Sequence, residues 1–235
     1  MSIEERIRRK FHKALRQYDI IADGDRILIA LSGGKDSLCL SEMLARQQRI
    51  FVPRFTVEAV HVRMENIEYE SSIEDLSRFT KDIGLPFHTL TSSFDASTDR
   101  RHTPCFLCSW QRRKVIFNFA QEHGFNKIAL GHHMDDIIHT ALLNLFYEGR
   151  FDGMPPVLHM KKMPLTIIRP LCLVHEADIA ILAKEKDYPQ QIKRCPYEHE
   201  SRREEMKRLF STIETLNPEA RYSIWHALEG CDDLD

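Results

Sequence analysis

The run Ile27-Leu28-Ile29-Ala30-Leu31-Ser32-Gly33-Gly34-Lys35-Asp36-Ser37 reads as a buried strand that stops at a glycine turn and continues as a helix. The helix is expected over 35–49, with Leu38, Leu40, Met43 and Leu44 as its apolar stripe. A strand, a small turn and a helix N-terminus make an anion site. The turn exposes backbone N–H groups, and the helix dipole adds about half a positive charge there. Gly33 and Gly34 let the backbone approach a phosphate with no Cβ in the way. Lys35 adds a full charge, and Ser32 and Ser37 add hydroxyls. A Walker A loop is excluded. That pattern needs four residues between its first glycine and Gly-Lys-Ser/Thr, and here an acid, Asp36, follows the lysine.

Outward from this run, strands and helices alternate. Further strands are expected at 55–62, 86–90, 127–130 and 165–169, giving five with the first. Helices are expected at 3–18, 73–83, 106–123, 137–147, 175–187, 201–216 and 218–228. Residues 91–103 read as a polar mobile loop and 149–156 as a second loop. The alternation predicts an α/β fold, a parallel sheet with helices on both faces. The expected organisation is an N-terminal helix (1–22), a catalytic domain (23–190) and a C-terminal helical extension (191–235). His61 ends the second strand, and Gly131 follows the fourth in Gly131-His132-His133-Met134-Asp135-Asp136. Ligands of an open parallel sheet bind at that edge, so both are candidate nucleotide contacts.

The 235 residues are 43% hydrophobic, enough for a proper core, and carry a net charge of −2. That balance excludes a basic coat protein. Basic clusters at Arg6–Lys10, Arg100-Arg101, Arg112–Lys114, Lys161-Lys162, Lys193-Arg194 and Arg202-Arg203 still suit a face for a polyanion such as RNA, although any one of them also reads as a solvated helix face. No apolar run reaches the roughly 18 residues of a membrane span, and the charged N-terminus lacks a signal-peptide core. A cytoplasmic location is expected. Six cysteines in such a chain are not a disulfide framework, and Cys39 and Cys172 lie in apolar contexts that suit packing. Cys105-Phe106-Leu107-Cys108 opens a helix after Pro104, and Cys195 could return to complete three thiolates. Spacing alone favours zinc, with His199 as a fourth ligand, over an iron–sulfur cluster held by three cysteines.

Ser32-Gly33-Gly34-Lys35-Asp36-Ser37 resembles the PP-loop of the N-type ATP pyrophosphatases, which split ATP between the α and β phosphates. A longer set of segments is similar to the tRNA 2-thiocytidine synthetases, the TtcA family. It comprises Cys105–Cys108 with Arg112-Arg113, Lys127–Asp136, Asn144–Arg150, Met154-Pro155-Pro156 and Ile168–Leu171. The resemblance implies a Rossmann-like, adenine nucleotide alpha hydrolase-like sheet. It implies transfer of AMP onto the 2-oxygen of an anticodon-loop cytidine, followed by replacement of that oxygen with sulfur. It further implies a [4Fe-4S] cluster on Cys105, Cys108 and Cys195; the second cysteine usual after the third ligand is here Glu198. Ser32, Gly33, Gly34, Lys35, Asp36 and Ser37 would hold ATP, with Mg²⁺ on the triphosphate and Asp36 as a possible ligand. Asp135 and Asp136 are the catalytic candidates, Asp135 expected nearer the chemistry, with Arg112 beside the cluster. The partners implied are a tRNA, a sulfur donor such as a cysteine desulfurase, and a second copy in a homodimer. Two rivals share parts of the pattern: a lysidine synthetase-like enzyme that needs no cysteine triad, and a zinc-stapled nucleotide-binding RNA adaptor without turnover.

Overall fold

The structure is a computed structural model that describes residues 1–50, 52–69, 71–95, 103–194 and 202–231. Most of the expected mobile loop, together with Cys195, Glu198 and His199, lies outside these residues. The chain opens with α1 (Ile3–Gln17), β1 (Arg26–Ala30) and α2 (Lys35–Gln48). It continues through β2 (Thr56–Met64), β3 (Glu68–Tyr69), α3 (Ile73–Ile83), β4 (Phe87–Ser92) and α4 (Pro104–Glu122). Next come β5 (Lys127–Ala129), α5 (Met134–Leu143), a π-helical turn (Asn144–Glu148), β6 (Val157–His159), β7 (Thr166–Ile168) and α6 (Glu176–Glu185). β8 (Lys193–Arg194), α7 (Arg202–Leu216) and α8 (Ala220–Cys231) complete the described chain.

The main sheet has six strands in the order β4-β2-β1-β5-β7-β6, one more than the five expected. The first five are parallel, and the addition is β6, antiparallel to β7. β6 is only three residues long and follows Pro155-Pro156, too short for alternation to announce it. β3 and β8 form a separate two-stranded ribbon. β1 lies between β2 and β5, and the order of strands reverses there. Such a switch point opens a crevice beyond the carboxyl ends of the strands. The turn after β1 carries Ser32–Ser37, and the turn after β5 carries Gly131–Asp136. The fold therefore brings these two sequence-distant segments to one edge.

Successive residues of β1 point to opposite faces. Ile27 and Ile29 join the core under α1, α2, α5 and α6, whereas Leu28 joins Val60, Ile128 and Ile167 under Ile116, Phe117 and Ala120 of α4. The terminal helices share the first of these cores. Ile7, Phe11 and Ala14 of α1, Phe210 of α7 and Trp225 of α8 are buried in it. Among the described residues no helix is long and apolar enough to cross a membrane.

Candidate functional site

The glycine turn is built as the sequence requires. Gly33 adopts φ +85°, the left-handed region, and a Cβ there would overlap the side chain of Gln191. Gln191 N–H in turn donates to the Gly33 carbonyl at 2.9 Å. The segment that leads toward Cys195 thus crosses directly over the turn. Gly34 caps α2, and the loop is tied inward by Ser37 Oγ donating to the Gly34 carbonyl at 2.9 Å. Ser32 Oγ lies 3.1 Å from Ser37 Oγ. Gly131 packs so closely that a Cβ would stand 3.0 Å from backbone atoms of Asp36 and Ser37. The two strand-end turns are therefore in contact through glycine.

A cavity of about 620 Å³ opens beside them. Ser32, Asp36, Ser37, Gly131, His132 and Asp136 form its end wall. Ala30, Ile128, Leu130 and Ile167 floor it, and Ser109, Arg112, Arg113, Ile116 and Phe117 of α4 cover it. Met154, Leu158, Met160 and Arg169 close the remaining side. An apolar floor with a few convergent polar groups is the usual build of a small-molecule site.

Asp36 and Asp136 are the carboxylates of this wall. Asp36 Oδ1 is buried and accepts no hydrogen bond, although Lys35 approaches it at 3.1 Å and His133 at 3.8 Å. Burial pushes the Asp36 carboxyl above the usual range, with Asp136 adding to the push against the pull of His133 and Lys35. His133 caps α5: the Asp136 N–H donates to its Nδ1 at 3.3 Å, and Asp136 Oδ2 accepts from the His133 N–H at 3.3 Å. Since Nδ1 accepts, the ring proton sits on Nε2, 3.4 Å from Asp136 and 3.8 Å from Asp36.

Asp135 faces elsewhere. It is not among the residues that line the cavity. One of its oxygens accepts from the Glu176 N–H at 2.8 Å, at the start of α6, and the other takes the guanidinium of Arg221 from α8. Burial pushes its carboxyl up, but the Glu176 N–H and Arg221 outweigh that and hold it below the usual range. Of the adjacent aspartates it is Asp136, and not Asp135, that lines the cavity.

α4 starts two residues earlier than expected. Thr103 Oγ1 accepts from the Phe106 N–H at 3.3 Å, and Pro104 takes the first helical position. Cys105 is exposed and Cys108 half-buried, one turn apart. Arg112 follows one turn later with Nη2 4.0 Å from Cys108 Sγ, so the shared face read from the spacing is present. Arg112 Nε is buried without a hydrogen-bond partner. Among the described residues no three His, Cys, Asp or Glu side chains are grouped to hold a metal ion. His61 sits behind the turn, not in the cavity. Its Nδ1 lies 2.8 Å from the Leu31 carbonyl and so carries the proton, while Nε2 is buried without a partner.

Two cavity residues were quoted in the sequence only within family-like segments or a basic cluster and were given no role of their own there. Arg113 joins Arg112 in the wall, and Arg169 is only 5% exposed at the end of β7. Arg169 donates to the Pro155 carbonyl and, through Nε, to His132 Nδ1 at 3.3 Å, which places the His132 ring proton on Nε2. Burial brings the Arg169 guanidinium down to about 10. An arginine at the carboxyl end of a buried parallel strand was the signal available for it.

Residues 3–192 match the model of the PP-loop domain. The chain is 33% identical over 231 residues to a tRNA-cytidine(32) 2-sulfurtransferase of Marinobacter nauticus, covering 96% of this chain and 76% of the relative. It is 36% identical over 226 residues to the protein of that name from Bdellovibrio bacteriovorus, covering 93% and 85%. Among solved structures, the U34-tRNA thiolase NcsA from Methanococcus maripaludis with its [4Fe-4S] cluster superposes with a TM-score of 0.82. That match has 23% identity and covers 99% of this chain and 80% of the other. At such identity the likeness speaks for the fold.

Proposed function

The chain belongs to the PP-loop family and groups with the tRNA-cytidine(32) 2-sulfurtransferases, and from that premise we propose that it replaces the 2-oxygen of a tRNA cytidine with sulfur at the expense of ATP. The observation that carries this reading is the shared cavity. The Ser32–Ser37 turn forms one wall, and the α4 turn that follows Cys105 and Cys108 forms another. An ATP-activating group and a sulfur-bearing group must meet at one carbon, and this is the arrangement they need.

The chemistry divides into two displacements. In the first, the cytidine 2-oxygen bonds to the α-phosphorus and the bond to the β-phosphate bridge breaks. Pyrophosphate leaves with growing negative charge beside the turn N–H groups and the N-terminus of α2, and Ser32 and Ser37 would turn their hydroxyls from their bonds within the loop to meet it. In the second, sulfur bonds to carbon 2 and AMP departs. Asp136 is placed to accept a proton or orient the pyrimidine. The buried Asp36 Oδ1, which accepts no hydrogen bond, suits a hydrated Mg²⁺ on the triphosphate. Arg112, Arg113 and Arg169 offer charge to the phosphates flanking a nucleotide whose base is splayed from its loop. Asp135 holds α5, α6 and α8 together behind the site.

Cys105 and Cys108 fit a cluster site. Both lie in the first turns of α4, and Arg112 stands over the second sulfur. With Cys195 they would hold a [4Fe-4S] cluster, whose chemistry there is to carry sulfide at an iron lacking a protein ligand. A sulfur donor such as a cysteine desulfurase would supply the sulfur, its persulfide being reduced to sulfide by two thiols that leave as a disulfide, and the working unit would be a homodimer. The test is pyrophosphate release by anaerobically purified, iron-loaded protein. Release that requires both ATP and tRNA is expected, and hydrolysis of ATP to ADP with no tRNA requirement would refute the reading.

A further inference from the structure

Glu176, the first residue of α6, belongs to none of the groups assigned above, yet it touches the turn. Its Oε1 lies 3.1 Å from Lys35 Nζ, and its Oε2 lies 2.8 Å from Lys207 Nζ of α7. One carboxylate therefore bridges the lysine of the glycine turn and a lysine of the C-terminal helices. Lys35 does not line the cavity, whereas its neighbours Asp36 and Ser37 do. Its ammonium is drawn to the α6 side, shared between Glu176 and Asp36 at 3.1 Å each. The charges agree with the geometry. Burial works against the Lys35 ammonium, but the two carboxylates outweigh it and raise its affinity for the proton. Burial likewise opposes the Glu176 carboxylate, and Lys207 and Lys35 overcome it.

Phosphates at the turn would compete with Glu176 for one ammonium. Lys207 partly neutralises Glu176 and so weakens its hold. We propose that Glu176 is a positioning residue that draws Lys35 away from bound phosphates, and that Lys207 relieves this pull, so that seating of α7 tightens nucleotide binding. By linkage, bound nucleotide would tighten the seating of α7 to the same degree. This rests on the reading that the Ser32–Ser37 turn binds ATP. It goes further in assigning the segment after Cys195 a part in setting nucleotide affinity.

The experiment is calorimetric titration of ATP into the full-length chain at fixed low salt, for the wild type and for Glu176→Gln, Lys207→Met, the double variant, Lys35→Met and Lys35→Met/Glu176→Gln. These side chains are partly exposed, and thermal unfolding checks that each variant is folded. Partly exposed pairs of this kind set the scale at about three- to fivefold. Glu176→Gln is expected to tighten ATP binding by that factor and Lys207→Met to weaken it. The double variant should match Glu176→Gln, because Lys207 acts only through that carboxylate. On the Lys35→Met background the Glu176→Gln gain should vanish. Weaker or unchanged ATP binding in Glu176→Gln would overturn the proposal. So would additive effects in the double variant, or a gain that survives on the Lys35→Met background, since a general change in charge would produce either. A wild type that binds no ATP would remove the ATP reading as well, whereas the other contrary results remove this proposal alone.

Discussion

Asp135 and Asp136 are neighbours in sequence with different surroundings, and replacing each by asparagine separates them. Asp135→Asn leaves the Arg221 guanidinium, whose side chain is 14% exposed, facing Glu214 at 2.7 Å without its second carboxylate. Removing one member of a buried pair typically costs 3–5 kcal/mol. Here Glu214 stays on Arg221, and an asparagine oxygen can still accept from the Glu176 N–H. The lower end applies, about 3 kcal/mol, which for a chain of this size is a fall in Tm of about 6–12 °C. The dependence on pH has a definite sign. The folded Asp135 carboxyl sits below its unfolded value, so its contribution is fully present above the unfolded pKa, near 3.9, and is lost as pH falls through the folded pKa. The gap in stability between wild type and Asp135→Asn should therefore be wide at pH 7 and close on acidification below about pH 4. Asp136→Asn alters only a capping carboxylate and should cost about 1 kcal/mol or less, while lowering tRNA-dependent pyrophosphate release by about 10²–10⁴. Chemical denaturation across pH, with the release assay at pH 7, measures both. The reasoning fails if Asp135→Asn unfolds like the wild type, if its deficit ignores pH, or if Asp136→Asn proves the less stable of the two.

Asp36→Asn should raise Tm at neutral pH by about 2–4 °C while abolishing pyrophosphate release. Burial lifts the folded Asp36 carboxyl above its unfolded value, so its charge opposes folding at neutral pH and the penalty fades as pH falls through the folded pKa. A lower Tm at pH 7 would contradict this. Gly33→Ala should cost about 1–2 kcal/mol for the left-handed backbone, displace Gln191, and lose pyrophosphate release in a protein that still folds. Release at the wild-type rate would show that the turn does not hold the phosphates. Cys105→Ser, Cys108→Ser and Cys195→Ser should each lose iron and sulfide on anaerobic reconstitution while ATP binding persists. Wild-type iron content in Cys195→Ser would remove that residue from the ligand set.

What the sequence disclosed followed from how local each feature is. Ser32–Ser37 was legible because strand, glycine turn and helix are contiguous, and an anion site needs nothing else. Cys108 and Arg112 were legible because a helix puts residues four apart on one face. The aspartates were visible as candidates, but their assignment was not. Adjacent helical residues point about 100° apart, and which one meets the cavity depends on where α6 and α8 dock. Arg113, Arg169 and Glu176 acquire their surroundings from residues distant in the chain: the strand-end wall of the cavity, the Pro155 carbonyl and Lys207. β6 escaped because three residues are too few to show a period. The zinc that spacing favoured and the cluster that the resemblance implied share Cys195 and differ over His199, and both residues lie outside the described ones.

The most direct measurement is mass spectrometry of nucleosides from tRNA incubated anaerobically with the iron-loaded protein, ATP, Mg²⁺ and a sulfide source. The expected result is 2-thiocytidine that forms only with ATP, with one AMP and one pyrophosphate released for each sulfur incorporated. Tight binding of ATP and tRNA with no thiolated cytidine, or a product bearing lysine in place of sulfur, would contradict it.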